Sequence, residues 1–207
     1  MKKLVSILLI AILLPLQASA ADLWEEGKHY TVISDKATAK PEVKEFFSFW
    51  CPACYRFEPI VKNIKASIGE DVKFTKVHVN FMGMAGPEVQ EAATKAKLIA
   101  RVMKKETELN GAIFNYIHQQ RSTVTGLDDL RSIFIINGVD PVEFDKHAKS
   151  FAVKSLHNKN NKEITKFREH LNGVPNFIVN GKYQAKFASD MSADDIANLI
   201  VWLTKQA

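Results

Sequence analysis

The chain has 207 residues, of which 46% are hydrophobic and 25% charged, and its formal net charge of +5 falls to +3 once Lys2 and Lys3 are set aside with an N-terminal signal. That mild balance, with Lys and Arg scattered among acids and no basic stripe interleaved with aromatics, argues against a nucleic-acid binder. The only two cysteines, Cys51 and Cys54, argue against a disulfide-stapled scaffold, because structural disulfides stabilise by closing long loops and this pair would close almost none.

Residues 1–20 read as a secretory signal: a basic start at Lys2 and Lys3, an apolar run over 4–14, and a small-residue cleavage site at Ala18, Ser19 and Ala20. The mature protein is expected to begin near Ala21. The apolar run is shorter than the roughly 20 residues a membrane-spanning helix needs. No cysteine follows the signal to carry a lipid. The expectation is a soluble, exported protein with one sizeable core, or a core with an inserted subdomain.

Residues 43–50 are aromatic and nearly continuous, the pattern of a strand covered on both faces, and they run into Cys51. Cys54, Phe57, Val61, Ile64 and Ile68 then recur at steps of three and four, one apolar helical stripe that stops at Gly69. Pro52 falls in the first turn, where a missing N–H costs nothing, and Pro59 lies inside the helix. A second strand over 72–79 completes a βαβ unit.

From about Gly83 the period becomes helical throughout. Val89 to Met103, Ile113 to Ile117 and Leu127 to Phe134 carry successive apolar faces, Asp140 and Pro141 open a short helix, and a longer one covers 150–171, weakened by the asparagines between 158 and 161. Strands resume at 176–179 and 182–187 around Asn180-Gly181, a two-residue hairpin signal because both turn positions require positive φ. A last helix starts at Ser192, with Asp195 at the capping-box position, and buries Ile196, Leu199, Ile200 and Leu203.

A C-x-x-C at a strand-to-helix junction has a specific chemical use. Cys51 would cap the helix, where unpaired backbone N–H groups and the positive end of the macrodipole favour a thiolate. Cys54, one turn inside on the apolar face, would be shielded. An exposed acidic sulfur beside a shielded one is the asymmetry a thiol-disulfide exchanger needs. The bland alternative is a zinc site, which would need two more ligands at matching spacing; His29, His78, His118, His147, His157 and His170 are scattered singly. No metal or other cofactor is expected. Glu45 is also unusual, since an acid within an aromatic strand must be paired or carry a raised pKa.

EFFSFWCPACY at 45–55, FTKVHVNFMG at 74–83, GVP at 173–175 and VNGKY at 179–183 together resemble the bacterial periplasmic disulfide oxidases of the DsbA family. The likeness covers essentially the whole mature chain. It implies an α/β protein with a mixed sheet, namely a thioredoxin fold over 21–83 and 163–207 interrupted by an all-helical insertion over 84–162. It implies that Pro175 is the cis-proline facing the cysteines, with Val174 offering its backbone to an extended substrate strand. Glu45, Glu58 and Lys76 match a charged cluster near the buried sulfur that could relay protons; a structural pair between Glu45 and Lys76, and an ordinary surface charge at Glu58, are the plainer readings. The resemblance further implies a periplasmic monomer that oxidises reduced, unfolded exported proteins and is re-oxidised by a quinone-linked membrane partner of the DsbB type.

One departure stands out. The family usually carries His between Pro52 and Cys54, where this chain has Ala53. A loss of about two pKa units of thiolate stabilisation would lower the redox potential by about 60 mV. A disulfide isomerase or reductase kept in its reduced form is the nearest alternative. A peptide-binding, chaperone-like protein whose groove matters more than its sulfurs is another.

Overall fold

The computed structural model describes residues 23–206, so the expected signal at 1–20 lies outside the described residues. A five-stranded mixed sheet is formed by β1 (Tyr30–Val32), β2 (Glu42–Phe47), β3 (Lys73–His78), β4 (Asn176–Val179) and β5 (Tyr183–Ala185), in the order β1-β5-β4-β2-β3. β2 and β3 run parallel, and the other neighbours are antiparallel. The helices are α1 (Pro52–Ser67), α2 (Pro87–Val102), α3 (Glu106–His118), α4 (Leu127–Ile136), α5 (Pro141–Ala148), α6 (Phe151–Phe167) and α7 (Ala193–Thr204). The mixed sheet with its helical block is the architecture expected from the sequence. The expected boundary between 162 and 163 falls inside α6, which continues to Phe167.

The alternation of β2 explains the two layers. Val43, on one face, packs with Val61 and Ile64 of α1 and with Ile196, Leu199, Ile200 and Leu203 of α7. Phe46, on the other, meets Ile164 and Phe167 of α6. A third cluster joins Phe47, Phe49, Cys51 and Cys54 to the apolar faces of α2 to α6, so the cysteines sit where the sheet end meets the helical block.

Several local expectations need correction. The aromatic strand ends at Phe47 rather than running into Cys51; the Ser48 carbonyl accepts from Cys51 N–H, and its hydroxyl oxygen accepts from Trp50 N–H. β1 was not expected from the sequence, because three residues at a sheet edge show no period. Asn180 and Gly181 do adopt positive φ, +52° and +63°, but the register pairs Val179 with Tyr183, so the connection is one residue longer than a two-residue turn. Asn180 is also a tie point: its side chain accepts from Glu42 N–H and donates to the carbonyls of Leu203 and Thr204.

The asparagines expected to weaken α6 leave it unbroken. Asn160 is buried, accepts from His78 N–H at 3.2 Å and donates to His78 C=O at 2.9 Å. It thereby closes the outer edge of β3, whose strand partner is β2 alone. Lys97 of α2 does the same one pleat away, donating to the Lys76 carbonyl at 2.6 Å.

Candidate active site

Cys51 occupies the N-cap of α1 in an extended conformation, with Pro52 following it in the first turn. Its Sγ accepts from Cys54 N–H at 3.2 Å, and its S–H donates to the Val174 carbonyl, also at 3.2 Å. The Val174–Pro175 peptide bond is cis. This places Val174 and Pro175 directly across from the first cysteine. Both cysteines are free thiols. The sequence suggested an exposed Cys51, whereas only 4% of it reaches solvent against 0% of Cys54. The loop carrying Val174 covers it.

The two sulfurs nonetheless have opposite acidities. Cys51 is lowered to about 6, chiefly because the Cys54 thiol hydrogen-bonds its sulfur; burial opposes this, and the N–H groups of Cys54 and Ala53 and the charge of Arg56 reinforce it. Burial pushes the Cys54 thiol far up, and its bond to Cys51 and the charge of Glu45 push it further. One member is therefore a thiolate near neutral pH while the other holds its proton. Ala53 takes part through its backbone, an N–H at a helix N-terminus, so the thiolate does not depend on an imidazole at that position.

The register of β2 and β3 pairs Glu45 with Lys76. Lys76 Nζ lies 3.0 Å from Glu45 Oε2, also reaches the Glu58 carboxylate from α1, and sits 4.6 Å from the centre of the Phe47 ring. Glu45 is wholly buried and its pKa is raised by that burial, with Lys76 pulling the other way. Burial likewise opposes the charge of Lys76, but the two carboxylates outweigh it and hold the ammonium above its ordinary pKa. The three predicted charges are thus one cluster. Glu58 is part of it rather than a free surface charge.

Three further polar residues, not singled out by the sequence, tie β3 and the β2–α1 connection to the helical block. His78 is buried on β3, with its pKa driven down to about 3 by burial and by the charge of Lys97. His118, at the end of α3, donates from Nε2 to the Phe49 carbonyl at 2.8 Å and stacks on Tyr55 with ring centroids 5.1 Å apart. Lys97, itself buried, pairs with Glu106 at 3.0 Å. Each sits in a stretch of mixed polar and apolar residues, and nothing in local spacing marks it as belonging to a site. Among the described residues, no group of His, Cys, Asp and Glu is placed to hold a metal ion, and no helix is long and apolar enough to cross a membrane.

The profile of the DSBA-like thioredoxin domain family matches residues 42–200. This chain belongs to that family. It is 37% identical over 178 residues to the thiol:disulfide interchange protein DsbA of Haemophilus influenzae, covering 84% of this chain and 82% of the relative. Its fold superposes on the disulfide oxidoreductase DsbA of Proteus mirabilis with a TM-score of 0.77 at 31% identity, over 88% of this chain and 98% of that one. A second structure of the Proteus protein, carrying the non-covalently bound peptide PWATCDS, matches with a TM-score of 0.75 at 30% identity, over 88% and 99% of the two chains. The chain is a thiol:disulfide oxidoreductase of the thioredoxin-like class.

Proposed function

We propose that the disulfide form of Cys51 and Cys54 introduces disulfide bonds into reduced, unfolded proteins exported to the periplasm. The observation that carries this reading is the placement of Cys51 at the N-cap of α1, its sulfur accepting from Cys54 N–H and facing the Val174 carbonyl beside the cis Pro175, with Cys54 wholly buried one turn on. A substrate thiolate attacks the Cys51 sulfur, the bond between Cys51 and Cys54 breaks, and the electron pair leaves on Cys54, which takes up a proton. The substrate's second thiolate then attacks the substrate sulfur of the mixed disulfide and expels Cys51 as a stable thiolate. The substrate ends as a disulfide and the enzyme as a dithiol.

Glu45, whose pKa is raised by its burial, relays protons for Cys54 through the cluster it forms with Glu58 and Lys76. The substrate strand runs past Pro52 and Ala53 and pairs with the backbone of Val174 beside Pro175; the peptide-bound relative supports such a groove. The helices α2 to α6 act as an insertion that walls the site. The protein works as a monomer with no cofactor beyond its two sulfurs, and a quinone-linked membrane protein of the DsbB type restores the disulfide.

Cys51→Ser is expected to abolish oxidation of a reduced dithiol peptide, while Cys54→Ser, given the disulfide-linked dimer of a single-cysteine peptide, releases one peptide as its thiol and keeps the other in a mixed disulfide with Cys51, visible as an added peptide mass. The redox potential in glutathione buffers decides direction. A value well above the ~−270 mV of thioredoxin supports an oxidase. A value at or below it overturns that reading in favour of a reductase or isomerase.

A further inference from the structure

The segment between β2 and α1 has an unusual anchor. Phe49 is completely buried and lies beyond the last residue of β2, so its N–H and C=O have no sheet partner. A buried peptide group left unpaired costs about as much as a lost hydrogen bond, and such groups are rare. Here both are taken by histidines from different elements: Phe49 N–H donates to His78 Nε2 at 3.3 Å, and His118 Nε2–H donates to the Phe49 carbonyl at 2.8 Å.

The hydrogen-bond chain assigns the tautomer of His78. The Thr94 hydroxyl hydrogen goes to the Gln90 carbonyl at 3.0 Å, so Thr94 Oγ1 accepts from His78 Nδ1–H at 2.8 Å. That leaves the Nε2 lone pair for Phe49 N–H. His78 is further held by Asn160 on its own backbone and by the Phe49 ring, centroids 5.0 Å apart. His118 comes from the helical block, and its ring lies nearly parallel to that of Tyr55 on α1, 9° apart.

We propose that His118 is a positioning residue for the redox pair: with His78 it clamps the Phe49 peptide two residues before Cys51, and so holds the Cys51 sulfur in the N-cap geometry that stabilises its thiolate. Removing the His118 donor leaves the buried Phe49 carbonyl unpaired. The Phe49–Trp50 peptide then rotates toward another donor and carries the Cys51 backbone with it. The bond from Cys54 N–H to Cys51 Sγ, 3.2 Å long, lengthens, and thiolate stabilisation is lost. The same contact means that the helical block, through α3, helps set the chemistry of a cysteine on the thioredoxin-like unit. This inference rests on Cys51 being the stabilised thiolate of an exchanger.

Two substitutions separate the hydrogen bond from the stack. His118→Phe keeps a ring against Tyr55 and Phe114 and loses the donor; His118→Gln loses the ring and keeps an amide N–H at the same reach. Cys51 is titrated by its ultraviolet thiolate absorbance in the reduced protein, and the potential is measured in glutathione buffers, beside a thermal melt. His118→Phe should cut the thiolate-to-thiol ratio at fixed pH about tenfold, one pKa unit, and make the potential about 30 mV more reducing. His118→Gln should restore most of both. A fall in melting temperature with pKa and potential unchanged in His118→Phe would reduce the residue to packing and overturn the proposal. So would a His118→Gln variant that matches His118→Phe. Failure of the underlying reading would show separately, as an ordinary thiol pKa for Cys51 in the parent protein.

Discussion

The N-terminus of α1 and the charged cluster on β2, β3 and α1 both hold a charge out of water, but with different materials. At Cys51 the stabilising groups are mainly the neighbouring thiol and the N–H groups of residues 53 and 54. The thiol is that of Cys54 and the N–H groups belong to any residue that can start a helix, so having Ala rather than His at position 53 leaves both in place. At Glu45 the stabilising groups are the side chains of Lys76 and, through it, Glu58. No backbone substitute is available there. Groups supplied by the backbone survive a change of side chain at position 53, whereas a cluster made of side chains fails with any single member.

Lys76→Met breaks the second site and should have the larger effect. Removing one member of a buried pair strands the other, at a cost of about 3–5 kcal/mol. The loss should depend on pH in a defined direction. Burial already holds the folded-state pKa of Glu45 above the ordinary carboxylate range, and without Lys76 it rises further. A carboxyl raised in the folded state carries no penalty below its unfolded pKa, and stability is lost as pH rises from there through the folded pKa. Urea denaturation should therefore show a deficit that is largest near about pH 7 and shrinks toward the unfolded pKa of Glu45. An equal deficit at both pH values would assign Lys76 to packing on Phe47 instead.

Ala53→His sharpens the first site. An imidazolium about 5 Å from the Cys51 thiolate, at an effective dielectric of about 20, contributes about 3 kcal/mol, or about two pKa units. The potential should rise by about 60 mV, read against glutathione, and the Cys51 pKa should move from about 6 toward about 4. An unchanged potential would mean that the new ring turns to solvent and that the backbone groups already saturate the sulfur.

The same contrast explains what was readable in the sequence. Cys51, Cys54 and the stripe of α1 were legible because local period and capping chemistry dictate them. Glu45 was legible as an anomaly, an acid in an aromatic strand, although its partner could be identified only through the family likeness. His78, His118 and Lys97 were not legible, since each acts on the backbone of a residue distant in sequence: Phe49 lies 29 residues from His78 and 69 from His118. β1 failed for another reason, its three residues being too few for a period to appear. The burial of Cys51 also escaped, because the segment that covers it, at Val174, arrives 123 residues later.

Asn160 combines the two materials, a side chain whose partners are backbone groups, and removing it should have the smallest effect of the three. In α6 it is a poor helix former, and its intrinsic cost is outweighed by what its amide does for His78. Its carboxamide presents one acceptor and two donors in a plane, the pattern of a neighbouring strand, so it completes an edge that no strand covers. Asn160→Ala gains up to about 0.7 kcal/mol of helix propensity and leaves a buried N–H and a buried C=O to be served by water or not at all, at about 1–3 kcal/mol each. The net loss should be about 2 kcal/mol in urea denaturation, with faster amide exchange at His78. Because His78 in turn accepts from Phe49 N–H, the loosened edge should also move the Cys51 pKa slightly upward. A variant as stable as the parent, with the His78 amide still protected, would show that β3 keeps its place through its parallel ladder to β2 alone.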